Sequence, residues 1–254
     1  MNAIAEPVAL VTGAGRGIGR ATALRFAQAG YLVIATDQNI EAAQSTARAI
    51  VDAGGKAWGE MLDVSAQPAW DVLSDRIKRE LGRLDALVNN AGIFRFRPLS
   101  ESPQSDWKLM RRVNIEGSLL GMRTAMQVMA DTRRAGSIVN LSSLGGLVAS
   151  VDTAFYGTTK GAVTAMTRSA AAEGATFDKS IRINSVHPGV IWTDMLFEQI
   201  GGQDALRESF AETTPLRTVG RAEDIAEAIF FLGSDASGML TGTSLVVDGA
   251  RGAE

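Results

Sequence analysis

A tyrosine and a lysine four residues apart form the first candidate catalytic group in this chain. Tyr156 and Lys160 lie in a segment with helical spacing, where residues four apart share a face, so the phenol and the ammonium can reach one small volume. Tyrosine, with an ordinary pKa of about 10, gives up its proton reluctantly at neutral pH, and a neighbouring ammonium favours the phenolate. The pair therefore predicts an acid/base device. The alternative interpretation is an amphipathic surface pair without function.

A glycine-rich segment is the second candidate site. It follows the short apolar run Val8 to Val11 and opens a segment of helical spacing, with the pattern Thr-Gly-x-x-x-Gly-x-Gly. Glycines at such a turn allow close approach to a pyrophosphate, and the free N–H groups at the helix start bind phosphate oxygens. The segment predicts dinucleotide binding by Gly13, Gly15, Arg16, Gly17, Ile18 and Gly19.

The choice of dinucleotide depends on two residues, of which one favours NAD and the other favours NADP. Asp37 ends the second predicted strand, twenty residues beyond Gly17, where an acidic side chain accepts both hydroxyls of the adenosine ribose. A carboxylate there repels a 2′-phosphate, whereas Arg16 could pair with one. Because Asp37 would occupy the 2′ site itself, we expect NAD as the cofactor and regard NADP as the alternative.

The elements that must position these residues alternate along the chain. Apolar periodicity and turn signals predict strands over 8–11, 31–36, 57–62, 84–88, 136–141, 181–186 and 244–248, and helices from the glycine turn to residue 29 and over 40–53, 70–81, 104–131, 153–173 and 222–232. The alternation predicts an α/β fold. No linker or repeat interrupts the alternation, so we expect one domain over residues 1–254. Residues 192–215, approximately, are apolar and contain glycines, and we expect them to form a substrate lid.

Composition excludes several classes of function. The 254 residues carry a net charge of −3, which offers no electrostatic attraction to nucleic acid or to an anionic membrane. The chain contains no cysteine and one histidine, His187, so thiol chemistry and a multi-histidine zinc site are excluded and no metal is expected. No apolar stretch is long enough to span a membrane and the N-terminus does not resemble a signal peptide, so a cytoplasmic location is expected.

These motifs together resemble the short-chain dehydrogenase/reductase family. The resemblance covers Val8 to about Ala250 and rests on signatures in a characteristic order: Thr12 to Gly19, Asp63-Val64, Asn89 to Gly92, Ser143 with Tyr156 and Lys160, and Pro188-Gly189 with Thr193. It implies a Rossmann-like, doubly wound sheet of about seven parallel strands with helices on both faces, three layers in all. It also implies a functional homotetramer or homodimer.

The resemblance further implies individual roles. Tyr156 would be the general acid/base, Ser143 would polarise the substrate oxygen, and Lys160 would lower the tyrosine pKa and hold the nicotinamide ribose. Asn114, unusual within a predicted helix, would hold a water that links Lys160 to solvent. Further cofactor contacts would come from Asp63, Val64, Asn90, Ala91, Gly92, Pro188, Gly189, Ile191 and Thr193.

The predicted substrate is an apolar secondary alcohol or its ketone, cyclic, aromatic or steroid-like. The prediction rests on a candidate apolar wall of Phe94, Leu144, Val151, Trp192, Leu196 and Phe197. An NADPH-dependent 3-oxoacyl-carrier-protein reductase is the alternative, favoured by Arg16 and by the basic pair Arg95 and Arg97. A non-catalytic nucleotide-binding regulator is a further alternative. It is a remote alternative, because every catalytic position holds the residue that the enzymatic reaction requires.

Overall fold

Seven parallel strands form one sheet in the computed structural model, which describes residues 4–199, 201 and 206–253. The strands are β1 (Val8–Thr12), β2 (Leu32–Asp37), β3 (Lys56–Met61), β4 (Ala86–Asn89), β5 (Gly136–Leu141), β6 (Ile181–Pro188) and β7 (Ser244–Val247). Their spatial order is β3-β2-β1-β4-β5-β6-β7, with β1 flanked by β2 and β4. The order therefore reverses direction between β1 and β4, and in open α/β sheets ligands bind outside the carboxyl ends of the strands at such a point.

Helices connect successive strands. They are α1 (Gly17–Gln28), α2 (Ile40–Asp52), α3 (Gln67–Glu80), α4 (Gln104–Met110), α5 (Gly117–Asp131), α6 (Ala154–Gly174), α7 (Asp194–Gln199), α8 (Leu206–Glu212) and α9 (Ala222–Gly233). Among the described residues, no helix is both long and apolar enough to cross a membrane.

Strand residues alternate between two buried layers. Leu10, Leu87 and Ile138 pack on one face of the sheet with side chains of α3 and α5, such as Trp70. Their neighbours in the chain, including Val11 and Val88, pack on the opposite face with α1 and α9. Because successive strand side chains point to opposite faces, apolar residues at every position require helices on both sides. The predicted doubly wound, three-layered α/β fold is confirmed, and the single domain over residues 1–254 stays a prediction.

Two differences from the sequence-based expectation bear on the site. The helix predicted over 104–131 is interrupted by a π-helical segment, Arg111–Glu116, between α4 and α5. Strand β6 continues through Pro188, two residues beyond its predicted end, because its last residues still pair with β7. The π segment contains Asn114, and such bulges frequently mark functional positions.

The predicted lid contains two short helices, α7 and α8, at the carboxyl end of the sheet. Residues 200 and 202–205 of the predicted range lie outside the described residues. The preceding backbone is held by Trp192 N, which donates to Gly220 O at 2.9 Å, and by the bridge between Ile191 and Gly220.

Candidate active site

A cleft of about 590 Å³ opens at the carboxyl ends of β1, β2, β4, β5 and β6. Its floor is formed by residues that follow these strands, and its outer wall by α7, α8 and the loop at Phe94. The glycine-rich turn lies at one side and Tyr156 at another. Parallel strands deliver their following residues to one edge, which explains how segments far apart in sequence meet here.

The glycine-rich turn has the geometry of an anion-binding loop. Gly13 has a φ of +62°, which favours glycine. A Cβ at Gly19 would lie 2.1 Å from the Gly13 carbonyl oxygen, so no side chain fits there. The first backbone bond of α1 runs from Arg20 N to Arg16 O at 3.1 Å, so the amides of Gly17, Ile18 and Gly19 precede it and remain available at the cleft. The turn therefore fits a pyrophosphate.

Asp37 is held at the end of β2 with its carboxylate against the glycine turn. Gly15 N donates to its Oδ2 at 3.0 Å, and Asn39 N donates to its Oδ1 at 3.0 Å. Two backbone bonds fix the carboxylate's orientation and leave further lone pairs that can accept ribose hydroxyls.

Arg16 is engaged by acidic groups. Its guanidinium pairs with Glu198 of α7, and both side chains are about half exposed. The pKa of Arg16 is raised above its ordinary value, first by the hydrogen bond with Glu198 and further by the charges of Asp194 and Asp37. The arginine thus links the glycine turn to the lid and is surrounded by negative charge.

Tyr156 and Ser143 meet at the wall of the cleft. Ser143 follows β5 and Tyr156 lies in the first turn of α6. Burial raises the pKa of Tyr156 above its ordinary value, and the hydrogen bond with the Ser143 side chain lowers it to a lesser extent. The edge of the Phe94 ring packs on the tyrosine, with ring centroids 4.7 Å apart. The phenol is therefore protonated at neutral pH in this structure, ready to donate.

Lys160 lies behind the tyrosine and is only 5% exposed. Its Nζ donates to Leu141 O at 2.7 Å and lies 5.8 Å from the centre of the Tyr156 ring. Burial lowers the pKa of Lys160 from 10.5 to about 8. At pH 7 the protonated form still predominates by about ten to one, so the lysine offers an ammonium to the cleft.

The lowering of the tyrosine pKa by Lys160 stays a prediction. The net pKa of Tyr156 is raised because burial outweighs the hydrogen bond with Ser143, and low-polarity surroundings disfavour the phenolate.

Asn114 is buried beside the lysine and does not line the cleft. Its side-chain oxygen accepts from Ile93 N at 2.8 Å, and its nitrogen donates to Ile93 O and to Thr159 Oγ1, both at 3.0 Å. Thr159 in turn donates to Tyr156 O at 2.8 Å. The amide thus ties the loop after β4 to the helix that carries Tyr156, which answers why an asparagine occurs within this helical segment.

His187 is fully buried and holds the backbone of the serine. Its Nδ1 lies 3.0 Å from Ser143 O and its Nε2 lies 2.9 Å from Ser185 Oγ. Burial lowers the pKa of His187, so the ring is neutral, with Nδ1–H donating to the carbonyl and Nε2 accepting from Ser185. These contacts give His187 a structural role, because both ring nitrogens bind groups of the protein.

The cleft brings together most of the predicted site. Apart from Gly15, whose amide binds Asp37 instead, every predicted cofactor residue lines it, as do Ser143, Tyr156 and Lys160. Of the predicted apolar wall, Phe94, Leu144 and Leu196 line the cleft. Three others do not: Val151 is 79% exposed, and the rings of Trp192 and Phe197 pack on each other, 6.1 Å apart, outside the lining. Single apolar positions cannot reveal whether a lid side chain faces inwards or outwards.

Several lining residues were not predicted. Phe96, Val148 and Phe210 add apolar surface, and Arg251 adds a positive charge from the C-terminal tail. The helical spacing of Leu206 and Phe210 within the lid is a signal that could have indicated the apolar ones. Arg251 has no such signal, because its place depends on how the tail folds back.

Comparison with known proteins gives matches over nearly the full length. A family model described as enoyl-(acyl carrier protein) reductase matches residues 13–250. A cis-4-hydroxycyclohexanecarboxylate dehydrogenase of Sinomonas cyclohexanicum is 39% identical over 249 residues, 97% of each chain. A cyclopentanol dehydrogenase of Comamonas testosteroni is 36% identical over 249 residues, 98% of each chain. The crystal structure of a gluconate 5-dehydrogenase from Burkholderia cenocepacia J2315, in complex with NADP and tartrate, superposes with a TM-score of 0.91 at 32% identity, covering 99% of this chain and 97% of that one.

Proposed function

The chain belongs to the short-chain dehydrogenase/reductase family, and we propose that it interconverts a cyclic secondary alcohol and its ketone, with NAD as the preferred cofactor. The observation that carries the proposal is the meeting of Tyr156, Ser143 and Lys160 at one cleft with the glycine-rich turn. A base at the alcohol oxygen and a positioned nicotinamide are sufficient for this reaction.

The residues of the cleft fit a nicotinamide dinucleotide. The turn from Gly13 to Gly19 would hold the pyrophosphate, Asp37 the adenosine ribose, and Asp63 with Val64 the adenine. Asn90 to Gly92 and the segment from Pro188 to Thr193 would hold the nicotinamide end, together with Lys160. When bound, the cofactor supplies the acceptor or donor of the hydride.

The protein's own part is to move a proton and to orient the reacting oxygen. In ketone reduction the Tyr156 phenol donates its proton to the substrate oxygen while the Ser143 hydroxyl binds that oxygen. In alcohol oxidation the tyrosine must first be deprotonated. The Lys160 ammonium supports that step and binds the cofactor ribose, and Asn114 positions the neighbouring loop through Ile93.

The preference for NAD is supported by the two residues that left the choice open. The Asp37 carboxylate is fixed by backbone N–H groups, and a carboxylate that binds the adenosine ribose would repel a 2′-phosphate. Arg16, which could bind such a phosphate, is paired with Glu198. We expect kcat/KM with NADH to exceed that with NADPH by about 100-fold, and a preference for NADPH would overturn this part of the proposal.

A cyclic substrate is supported by the apolar lining and by the relatives. Phe94, Leu144, Leu196 and Phe210 add hydrocarbon to the lining of the cleft that Tyr156 also lines. Two relatives are named for alicyclic alcohols, cyclopentanol and a hydroxycyclohexanecarboxylate. A rigid ring fills such a pocket at a small entropic cost.

The test is a panel of cyclic ketones and alcohols followed by cofactor absorbance, with a matched pair of tyrosine variants. Tyr156→Phe removes the phenolic proton and should lower kcat by about 10²- to 10⁴-fold while NADH binding is retained. The chain has one other tyrosine, Tyr31, whose ring packs against Phe26 with centroids 5.0 Å apart. Tyr31→Phe should leave kcat unchanged. Equal activity of the two variants would refute the assigned chemistry.

A 3-oxoacyl-carrier-protein reductase remains the second candidate. It is favoured by Arg95 and Arg97, which are both exposed next to the cleft-lining residues Phe94 and Phe96 and could meet an acidic carrier. A strong preference for NADPH together with turnover of acetoacetyl thioesters, and none of cyclic ketones, would decide for this alternative.

The assembly is proposed as a homotetramer, with a homodimer as the alternative. Light scattering of the purified protein at several concentrations distinguishes the two from a monomer.

A further inference from the structure

The C-terminal tail folds into a turn that places an arginine in the substrate end of the cleft. Asp248, directly after β7, accepts backbone bonds from Ala250 N at 2.9 Å and from Gly252 N at 2.7 Å. Gly249 adopts a φ of +64°, which reverses the chain. Arg251 lies between these held positions and lines the cleft.

The neighbours of the tail identify which end of the cleft Arg251 faces. Gly252 packs beside Leu144 and Val148, which follow Ser143 in the chain. Arg251 Nη1 donates to Thr213 Oγ1 at 2.7 Å, just beyond α8. Arg251 therefore lies between the segment after Ser143 and the end of the lid.

Arg251 carries a positive charge that the described residues do not neutralise. No salt bridge to it occurs within 4–199, 201 and 206–253. Among those residues, the carboxylates lining the cleft are Asp37, Asp63 and Asp194. The charges of Asp37 and Asp194 raise the pKa of Arg16. The carboxylate of Asp63 accepts a hydrogen bond from Ser65 Oγ at 2.8 Å.

Within the part of the chain that the structure describes, one contact engages the donors of this guanidinium. A guanidinium has five N–H groups in a planar fork, and the contact with Thr213 uses one. Leu144, Val148 and Phe210 line the same cleft as Arg251 and carry no acceptor side chain. A planar fork at the edge of an apolar lining suits a carboxylate, which accepts two parallel hydrogen bonds.

We propose that Arg251 is a specificity-determining residue that binds a carboxylate on the substrate. The preferred substrate is then a ring alcohol or ketone with a carboxylate on the far side of the ring from the reacting oxygen. One end of the molecule binds Tyr156 and Ser143, and the other binds Arg251. This inference rests on the proposed function and narrows its substrate class.

The first experiment compares 4-oxocyclohexanecarboxylate with its neutral methyl ester in the wild-type enzyme and in Arg251→Gln, with NADH and NADPH each supplied. We expect the wild type to prefer the acid by about 10- to 100-fold in kcat/KM, and Arg251→Gln to lose that preference through a lower kcat/KM for the acid. Arg251→Lys should restore part of the preference. Arg207→Gln removes an arginine of the lid whose guanidinium lies over Trp192, and it should leave the preference intact.

A binding measurement separates this inference from the reaction itself. Cyclohexanecarboxylate and cyclohexanecarboxamide are titrated into each enzyme saturated with NAD⁺. Tighter binding of the carboxylate that is lost in Arg251→Gln supports the inference even if no ketone is turned over, in which case the proposed function alone fails. Equal binding of the two compounds, or a preference that Arg251→Gln leaves untouched, overturns the inference. Turnover of the ester by every variant shows that each one is folded.

Discussion

Replacing the buried Lys160 by methionine should change how the stability of the protein depends on pH. The lysine is 5% exposed, and burial lowers its pKa from 10.5 to about 8. The unfolded chain therefore binds this proton more tightly than the folded protein does. Below pH 8 both states are protonated, and burying the ammonium costs about 3 kcal/mol.

The cost disappears as the pH rises. Between pH 8 and pH 10.5 the unfolded state holds more protons than the folded state, so the free energy of unfolding increases with pH. From pH 7 to pH 9.5 the contribution of Lys160 should rise by about 2 kcal/mol in the wild type, and Lys160→Met should lack this rise. The absolute difference at pH 7 is smaller than the burial cost, because the variant also loses the bond from Lys160 Nζ to Leu141 O at 2.7 Å, which offsets part of it.

The assay is urea unfolding followed by tryptophan fluorescence, at one protein concentration because subunit association makes stability depend on concentration. Lys179→Met, at an exposed position, controls for the loss of one positive charge. Parallel profiles of wild type and Lys160→Met from pH 7 to pH 9.5 would show that Lys160 does not carry the buried charge that the structure implies.

Three further predictions concern the reaction. Because burial raises the pKa of Tyr156, log kcat/KM for alcohol oxidation should rise with pH from about 6 to 8. Over the same range, log kcat/KM for ketone reduction should stay level. A flat profile for oxidation would contradict the role of Tyr156 as the base. Asn114→Ala should remove the hydrogen bonds that connect the loop after β4 to α6, and it should lower kcat by about 10-fold or more. If kcat is unchanged and urea unfolding shows only a stability loss of about 1–3 kcal/mol, the role of Asn114 is structural only. Glu198→Gln should free Arg16 and raise kcat/KM with NADPH by about 2- to 5-fold, because an exposed ion pair contributes at most about 1 kcal/mol. As the control, kcat/KM with NADH should not change. An unaltered kcat/KM with NADPH would show that Arg16 does not reach a 2′-phosphate.

The sequence was most informative where the determining interactions are local. The alternation of apolar runs and helical spacing identified all seven strands in order, because period and turn chemistry act over a few residues. Gly13 to Gly19 and the pair Tyr156 and Lys160 were recognisable for the same reason, since a turn or one helical face brings each group together by itself. The π segment around Asn114 was missed because it depends on a buried amide binding the loop at Ile93, twenty-one residues away.

Contacts between distant segments, and the burial that they share, could not be predicted from local patterns. Arg251 reaches the cleft because Asp248 turns the tail back towards Thr213 and Leu144, contacts that no local pattern records. The direction of the Tyr156 pKa shift likewise depends on every group that excludes water from the phenol, and that burial raises the pKa in the folded protein. Local periodicity determines which elements form, whereas packing determines which side chains face the cleft and at what cost they carry charge.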